Sequence, residues 1–177
     1  MTQQITVDRN DSKLWTATFS NPPINLIDPD TIDELQALVG EHETDPELNV
    51  IVFRSADPDL YLAHWDVLAD KTRVAAMEPG PTGMHLWLDV LSRLPRAPVA
   101  SIAEIRGRAR GAGCEFVLAC DMRFASREKA VLGQFEVGHG AVPGANTMAR
   151  LAGLSARWRS SLGRTTSTRT LPSATDT

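Results

Sequence analysis

Residues 98–126, PVASIAEIRGRARGAGCEFVLACDMRFAS, contain the pattern that decides the fold. Val99 to Ile105 is a short apolar run with β-branched residues, which is typical of a buried strand. Gly107, Gly111 and Gly113 follow it and predict a turn. The next residues, 116–119, are apolar without a breaker, so we expect a helix that is buried on most sides. A further strand should follow this helix before Ser126.

The glycine-rich turn is suited to binding negative charge. Glycine adopts positive φ without the steric penalty of a Cβ, so backbone can approach a ligand closely there. The first N–H groups of the helix have no partner within it, so they can bind an anion or a developing oxyanion. Glu115 lies one turn into this helix, an unfavourable place for a carboxylate unless it has a function. The turn by itself is equally consistent with a simple packing device.

The order of strand, GRARGAGCE, helix and ACDMRFAS resembles the central motif of the crotonase (enoyl-CoA hydratase/isomerase) family. In that family the turn supplies one backbone N–H of an oxyanion hole and a catalytic glutamate. The resemblance implies that Ala112 donates the N–H and that Glu115 is catalytic. It also implies that Gly111 and Gly113 contact the substrate. Ala112 stands where the family has its middle glycine.

The size and charge of the chain limit its function. Its 177 residues are enough for one domain with a sizeable core. A net charge of −4 argues against nucleic acid or an anionic membrane as a partner. No apolar run is long enough to span a bilayer and the N-terminus lacks a signal-peptide core, so we expect a cytoplasmic protein.

The cysteines and acidic residues suggest neither a disulfide nor a metal site. Cys114 and Cys120 are six residues apart on one predicted helix and therefore lie on different faces, which predicts two free, buried thiols. No cluster of histidine, cysteine or acidic residues has the spacing of metal ligands, so we expect no metal.

The N-terminal third predicts a parallel crossover unit. Ile5 to Val7 and Leu14 to Phe19 indicate two strands, with a hairpin turn at Arg9 to Lys13. Asp28-Pro29 then starts a helix, with Asp as N-cap and Pro at the first helical position. Val50 to Phe53 is the next strand, so strand, helix and strand follow in order. The text NPPINLIDPDTIDEL resembles the first strand-to-helix turn of the crotonase family.

The loop SADPDLYLAHWD, residues 55–66, matches the family loop that supplies the second oxyanion-hole N–H. Alignment on Asp66 assigns that N–H to Trp65 and puts His64 in the place of a glycine. The resemblance also implies a coenzyme A contact, with backbone carbonyls holding the adenine, at Leu62, Ala63, His64 and Asp66. Two readings stay open: Trp65 packs on the core with His64 exposed, or His64, which titrates near neutrality, enters the chemistry.

The next segment predicts a cover and a helix. Residues 70–81 are charged and broken by Pro79-Gly80-Pro81, which predicts a mobile cover over the pocket. Met84, Leu88 and Leu91 then mark a helix. His85 also lies on this helix, and a histidine in such a place is more often a surface or half-buried residue than a ligand.

A second acidic residue follows the central motif. After a short strand at Ala130 to Leu132, the segment GQFEVGHGAVPG resembles the family text G-x-P-E-V-x-L-G-x-x-P-G, with Phe135 in place of the first proline. Glu136 therefore matches the second catalytic glutamate. An isolated glutamate is usually a surface charge, but two glutamates in two separate matching motifs favour the functional reading.

The resemblance implies an α/β fold, the crotonase-like (ClpP/crotonase) spiral of ββα units, and syn addition of water to a 2-enoyl-CoA thioester. Two N–H groups would stabilise the enolate while two neighbouring carboxylates, one protonated and one not, share the water. The alternatives are an isomerase, an acyl-CoA or β-diketone hydrolase, or an inactive remnant that at most binds acyl-CoA. The only cofactor expected is the coenzyme A of the substrate. Family members form trimers or dimers of trimers.

The C-terminal tail departs from the family. Residues 1–153 are expected to form the core domain, and residues 154–177 a Ser/Thr/Arg-rich tail that is irregular or disordered. The family would continue here with helices. One choice of GC-rich codons for residues 155–177, read two bases out of frame, gives text similar to that continuation. The sequence therefore suggests a C-terminally truncated or frameshifted member that lacks the C-terminal helical segment.

Overall fold

The computed structural model of the chain describes residues 3–138, 140–145 and 147–152. The predicted tail at 154–177 lies outside the described residues. The strands are β1 (Ile5–Asp11), β2 (Leu14–Phe19), β3 (Val50–Ser55), β4 (Leu60–Leu62), β5 (Ala100–Ile105), β6 (Arg108–Arg110), β7 (Met122–Ala125) and β8 (Val131–Gly133). The helices are α1 (Pro29–Thr44), α2 (Lys71–Ala75), α3 (Leu86–Arg93), α4 (Ala112–Ala119) and α5 (Phe135–Gly138), with a 3₁₀ turn at Leu94–Arg96. Residues 147–152 are also helical.

Two sheets carry the repeating unit of the fold. The larger has the order β1-β2-β3-β5-β7 and the smaller the order β4-β6-β8. Within the described residues, β1 and β2 pair antiparallel and the other neighbouring strands pair parallel. From β3 onward, one strand joins the large sheet, the next joins the small sheet, and helix follows. This arrangement confirms the predicted spiral of ββα units.

The first hairpin is longer than the sequence suggested. Strand β1 extends to Asp11, so only residues 12–13 form the turn, not Arg9 to Lys13. Asp11 accepts a hydrogen bond from the Lys13 N–H, and Asp8 accepts one from the Asn10 N–H. The polar residues that predicted a turn therefore lie on an exposed edge strand, where pairing with β2 decides their conformation.

Helix α1 begins as predicted. The Asp28 side chain caps it by accepting from the Thr31 N–H at 2.9 Å, and Pro29 occupies the first turn. Its apolar stripe is buried and consists of Ile32, Leu35, Leu38 and Val39. The helix connects β2 to β3, which pair parallel, so the predicted crossover unit is present.

The glycine-rich segment contains a strand that the sequence did not predict. Strand β6 lies between Gly107 and Gly111 and pairs with β4 and β8. A Cβ at Gly107 would lie 2.3 Å from the Asp59 carbonyl carbon, so only glycine allows the chain to turn there. Arg108 and Arg110 are exposed and only Ala109 is buried, which hides the apolar signal of a strand.

Helix α4 is the centre of the molecule. All eight of its residues are buried, as the unbroken apolar run predicted. Phe116 packs edge-on against two rings of the large sheet, with centroid distances of 5.4 Å to Phe19 and 5.0 Å to Phe53. Cys114 and Cys120 are free and buried, which confirms their predicted state. Among the described residues, no helix is both long and apolar enough to cross a membrane.

Candidate active site

The start of α4 is shaped by two glycines. Gly111 is the N-cap residue with φ of 48°, a conformation that glycine adopts without strain. A Cβ at Gly113 would lie 2.2 Å from the Leu62 carbonyl oxygen, so the helix contacts the backbone at the end of β4 there. Between them, Ala112 is the first helical residue, and it lines a cavity. Its N–H belongs to the first turn, which provides no helical acceptor for it.

The segment after β4 presents a second N–H. Residues Ile27 and Trp65 form a parallel bridge, in which the Ile27 N–H donates to His64 O and the Asp66 N–H donates to Ile27 O. Neighbouring residues of an extended chain direct their N–H groups to opposite sides. The Trp65 N–H therefore points away from Ile27, and neither hydrogen bond of the bridge uses it. Trp65 also lines the cavity with Ala112.

Both predicted glutamates line this same cavity, although they come from different helices. Glu115 on α4 is 6% exposed, and its Oε2 accepts a hydrogen bond of 2.8 Å from the indole Nε1 of Trp87. Glu136 on α5 lies against Gly111, with its Oε1 3.1 Å from the position that a Cβ would take there. The Glu136 Oε2 is buried, and no described residue is its hydrogen-bond partner. Another part of the Glu136 side chain therefore provides its contact with the cavity.

Burial raises the pKa of Glu115 above its usual value. The Trp87 N–H and the Gly144 backbone act in the opposite direction, while the charge of Glu136 adds to the increase. Burial likewise raises the pKa of the neighbouring Cys114 thiol to about 11. Cys114 therefore stays protonated at neutral pH and is unsuited to act as a nucleophile.

The cavity has a volume of about 340 Å³ and a largely apolar wall. Besides the two glutamates and Ala112, its lining residues are His64, Trp65, Val67, Val74, His85, Trp87 and Leu88. Val74 belongs to α2, and Val67 precedes that helix. The segment predicted as a cover thus contains a short helix against the cavity, and its motion stays a prediction.

The two histidines on the wall differ in their contacts. His64 is half-buried, and its Nδ1 lies 2.7 Å from Trp65 O, which favours the tautomer with the proton on Nδ1. Among the described non-glycine residues, positive φ occurs at Asn25 and Ala145, so His64 fits its backbone without strain. His85 is exposed and is the N-cap residue of α3. A chemical role for His64 stays a prediction.

The residues expected to contact coenzyme A differ in their burial. Leu62 and Ala63 are almost fully buried and are not among the residues that line the cavity, and Ala63 O already accepts the Arg110 N–H. Asp66 is half-buried, and its carboxylate accepts from the Leu68 N–H. That backbone carbonyls of this segment hold the adenine stays a prediction.

Trp87 is the residue that sequence reasoning missed. It lies on the helix that the apolar residues predicted, and its indole contacts a predicted catalytic carboxylate. A signal existed, because a buried tryptophan N–H normally needs an acceptor. The sequence did not indicate which acceptor this was. Within the part of the chain that the structure describes, no group of three metal-binding side chains occurs.

Comparison with known proteins places these features in context. A family model described as Enoyl-CoA hydratase/isomerase matches residues 9–157. The Short-chain-enoyl-CoA hydratase of Clostridium acetobutylicum is 32% identical over 145 residues, which cover 81% of this chain and 54% of that protein. The Enoyl-CoA hydratase domain-containing protein 2, mitochondrial, of Mus musculus is 33% identical over 120 residues, covering 68% of this chain and 40% of that protein.

Solved structures agree with the sequence comparison. A crystal structure described as a candidate enoyl-CoA hydratase from Streptomyces avermitilis superposes with a TM-score of 0.77 and 43% sequence identity. The match covers 92% of this chain and 56% of that chain. The chain thus spans about half the length of the curated relatives it matches.

Proposed function

Because the chain belongs to the enoyl-CoA hydratase/isomerase family, we propose that it binds a 2-enoyl-CoA thioester and adds water across the 2,3 double bond. The observation that supports this most strongly is that two carboxylates and two backbone segments line one cavity. Glu115, Glu136, Trp65 and Ala112 all line it. These groups suit a reaction in which negative charge develops on a carbonyl oxygen while a proton moves nearby.

The oxyanion hole of this proposal consists of backbone N–H groups. Addition of water at C3 creates an enolate whose oxygen would accept from the N–H of Trp65 and the N–H of Ala112. Loss of one such donor typically costs about 3 kcal/mol of transition-state stabilisation. Because Ala112 begins α4, the dipole of that helix stabilises the same charge. The side chain of Trp65 does not affect N–H donation directly, so tryptophan is compatible with this role.

The two glutamates would carry out the proton transfers of the hydration. One carboxylate accepts its proton as the oxygen bonds to C3, and the other, protonated, delivers a proton to C2 on the same face. Neighbouring carboxylates in a partly dry site favour such a division, because the charge of one raises the pKa of the other. The raised pKa of Glu115, to which the charge of Glu136 contributes, supports this arrangement.

The partners of the reaction follow from the proposal. The substrate is an acyl-CoA thioester, and coenzyme A enters and leaves with it. Assembly into a trimer or a dimer of trimers, and residence in the cytoplasm, stay predictions. Isomerisation and hydrolysis use the same kind of site, so turnover of a 3-enoyl-CoA and cleavage of the thioester are measured beside hydration.

The test is an assay of the purified chain with crotonyl-CoA, followed by the loss of enoyl absorbance. We expect hydration, and we expect Glu115→Gln and Glu136→Gln each to lower kcat by at least about 100-fold, because each removes a proton-transfer group. Calorimetric titration with acyl-CoA should show that both variants still bind. Turnover of a 3-enoyl-CoA or thioester cleavage without hydration would replace the proposal with isomerase or hydrolase. Binding without any turnover would identify a non-catalytic acyl-CoA-binding protein.

A further inference from the structure

Trp87 and Glu115 form a buried hydrogen bond between two helices. The indole Nε1 donates to Glu115 Oε2 at 2.8 Å, Trp87 is 8% exposed and Glu115 is 6% exposed. Charge-assisted hydrogen bonds in a water-poor site are stronger than neutral ones. The contact therefore holds the carboxylate more firmly than solvent would.

Two sets of contacts position the indole, one made by its ring and one made by the far end of its helix. Its ring stacks on Phe116, with ring centroids 6.4 Å apart and planes at 28°. Phe116 directly follows Glu115 in α4, so the donor is oriented by the helix that carries the acceptor. At the other end of α3, Arg93 binds Glu43 of α1 and Asp89 of its own helix. Helix α3 thus forms a rigid support for the donor.

From this geometry we propose that Trp87 is a positioning residue: its N–H keeps Glu115 in one rotamer and fixes the orientation of its carboxyl group in the cavity. An indole nitrogen donates and cannot accept, so the contact requires Oε2 as the acceptor. The other oxygen, Oε1, lies 3.1 Å from the position of a Cβ at Gly144. Trp87 therefore determines how the carboxyl group of Glu115 faces a bound substrate.

The bond also acts on the ionisation of Glu115. Because the N–H stabilises the ionised form, it opposes the increase in pKa that burial causes. Removal of the N–H is therefore expected to raise the pKa of Glu115 further. This effect is independent of whether Glu115 acts as acid or base.

The first test measures the bond without any enzyme assay. In the ¹⁵N-labelled full chain, the Trp87 indole N–H resonance is identified by its loss in Trp87→Phe. We expect this resonance to shift with pH as Glu115 titrates and to move in Glu115→Gln. The indole of Trp15, buried in the core and outside the cavity lining, is the internal control and should respond to neither change. A Trp87 resonance that is insensitive to both pH and Glu115→Gln would overturn the inference.

The second test is kinetic and rests on the proposed hydration. Trp87→Phe retains an aromatic ring but removes the donor, and we expect kcat to fall by about 10- to 100-fold, the value of one hydrogen bond to a charged group, with little change in KM. One limb of the pH–rate profile should move to higher pH: the acidic limb if Glu115 is the base, the alkaline limb if it is the acid. An unmoved profile contradicts the inference.

The matched control for the kinetic test is Leu88→Ala. Leu88 lies on the same helix and the same cavity wall, but it has no hydrogen-bonding side chain. This change should raise KM without moving either limb. If the wild-type chain does not hydrate crotonyl-CoA, the proposed function fails, and the NMR measurement still decides the role of Trp87.

Discussion

Glu115 lies in a site that opposes its charge. It is buried on α4, and its pKa is raised mainly by desolvation. A carboxyl group whose pKa is higher in the folded chain binds a proton more tightly there than in the unfolded chain. Its stabilising contribution is therefore present below the unfolded pKa, near 4.5, and is lost as the pH rises through the folded pKa. Ionisation of Glu115 at neutral pH therefore lowers the stability of the fold relative to its protonated state.

Replacement of Glu115 by a neutral isostere should therefore stabilise the protein. We expect Glu115→Gln to gain about 0.5–2 kcal/mol at pH 8, as is common for substitutions that relieve a strained functional site. The gain should shrink as the pH falls toward 4. Thermal melts at several pH values measure it, with Glu47→Gln at an exposed position as control. An equal or lower Tm for Glu115→Gln at pH 8 would contradict the assignment of strain to Glu115.

At the scale of elements, the buried side chain of Asp89 connects α3 to α1 and to the turn before α3. The side chain of Asp89 is fully buried and accepts from the N–H and the hydroxyl of Thr82, from Gln36 on α1 and from Arg93. Burial alone would raise its pKa, but these hydrogen bonds outweigh burial and lower the pKa to about 2. The same contacts join α1, α3 and the turn before α3, and therefore fix the helix that carries Trp87.

The depressed pKa of Asp89 predicts acid sensitivity of this junction. Its contribution is present above the unfolded pKa of 3.8 and is lost as the pH falls toward about 2; the difference is worth about 2 kcal/mol. Asp89→Asn should thus destabilise the chain by at least about 2 kcal/mol at pH 7, and less at pH 2–3. Urea titrations measure both values. Asp33→Asn, which removes an exposed ion pair with Arg73, should cost less than about 1 kcal/mol.

At the scale of the whole molecule, α4 connects the site to the core. Phe116 follows Glu115 and reaches Phe19 on β2 and Phe53 on β3, while Tyr61 on β4 donates its hydroxyl to Phe53 O. Helix, large sheet and small sheet therefore meet in one aromatic cluster. Because aromatic rings bury large areas and pack in defined geometries, this cluster fixes the position of α4 relative to both sheets.

Loss of the central ring should destabilise the whole fold. We expect Phe116→Ala to cost about 3–5 kcal/mol, because it removes a fully buried ring and leaves a cavity. Phe124 on edge strand β7 is 61% exposed and offers a matched control of the same chemistry. Phe124→Ala should change the free energy of unfolding by less than about 1 kcal/mol. Similar losses for the two variants in urea unfolding would show that the cluster is not central.

Sequence reasoning succeeded where the signal is local. The N-cap of α1 and the buried run of α4 depend on neighbouring residues, and both were predicted. It failed for β6, because two exposed arginines flank a single buried alanine and the strand exists only through pairing with β4 and β8. It also failed for the contact of Trp87 with Glu115, residues 28 positions apart. No local pattern specifies which acceptor a buried indole will meet.

The sequence by itself determined the cap of α1, the buried run and the glycines of α4, and the two acidic residues proposed for the chemistry. Each depends on side-chain type and short spacing, which the chain carries in any conformation. Only the tertiary structure decided that Glu115 and Glu136 face one cavity with Trp65 and Ala112, and that Trp87 holds Glu115. Those relations arise from the pairing of β4, β6 and β8 and from the packing of α3 on α4, which are interactions between segments distant in the chain.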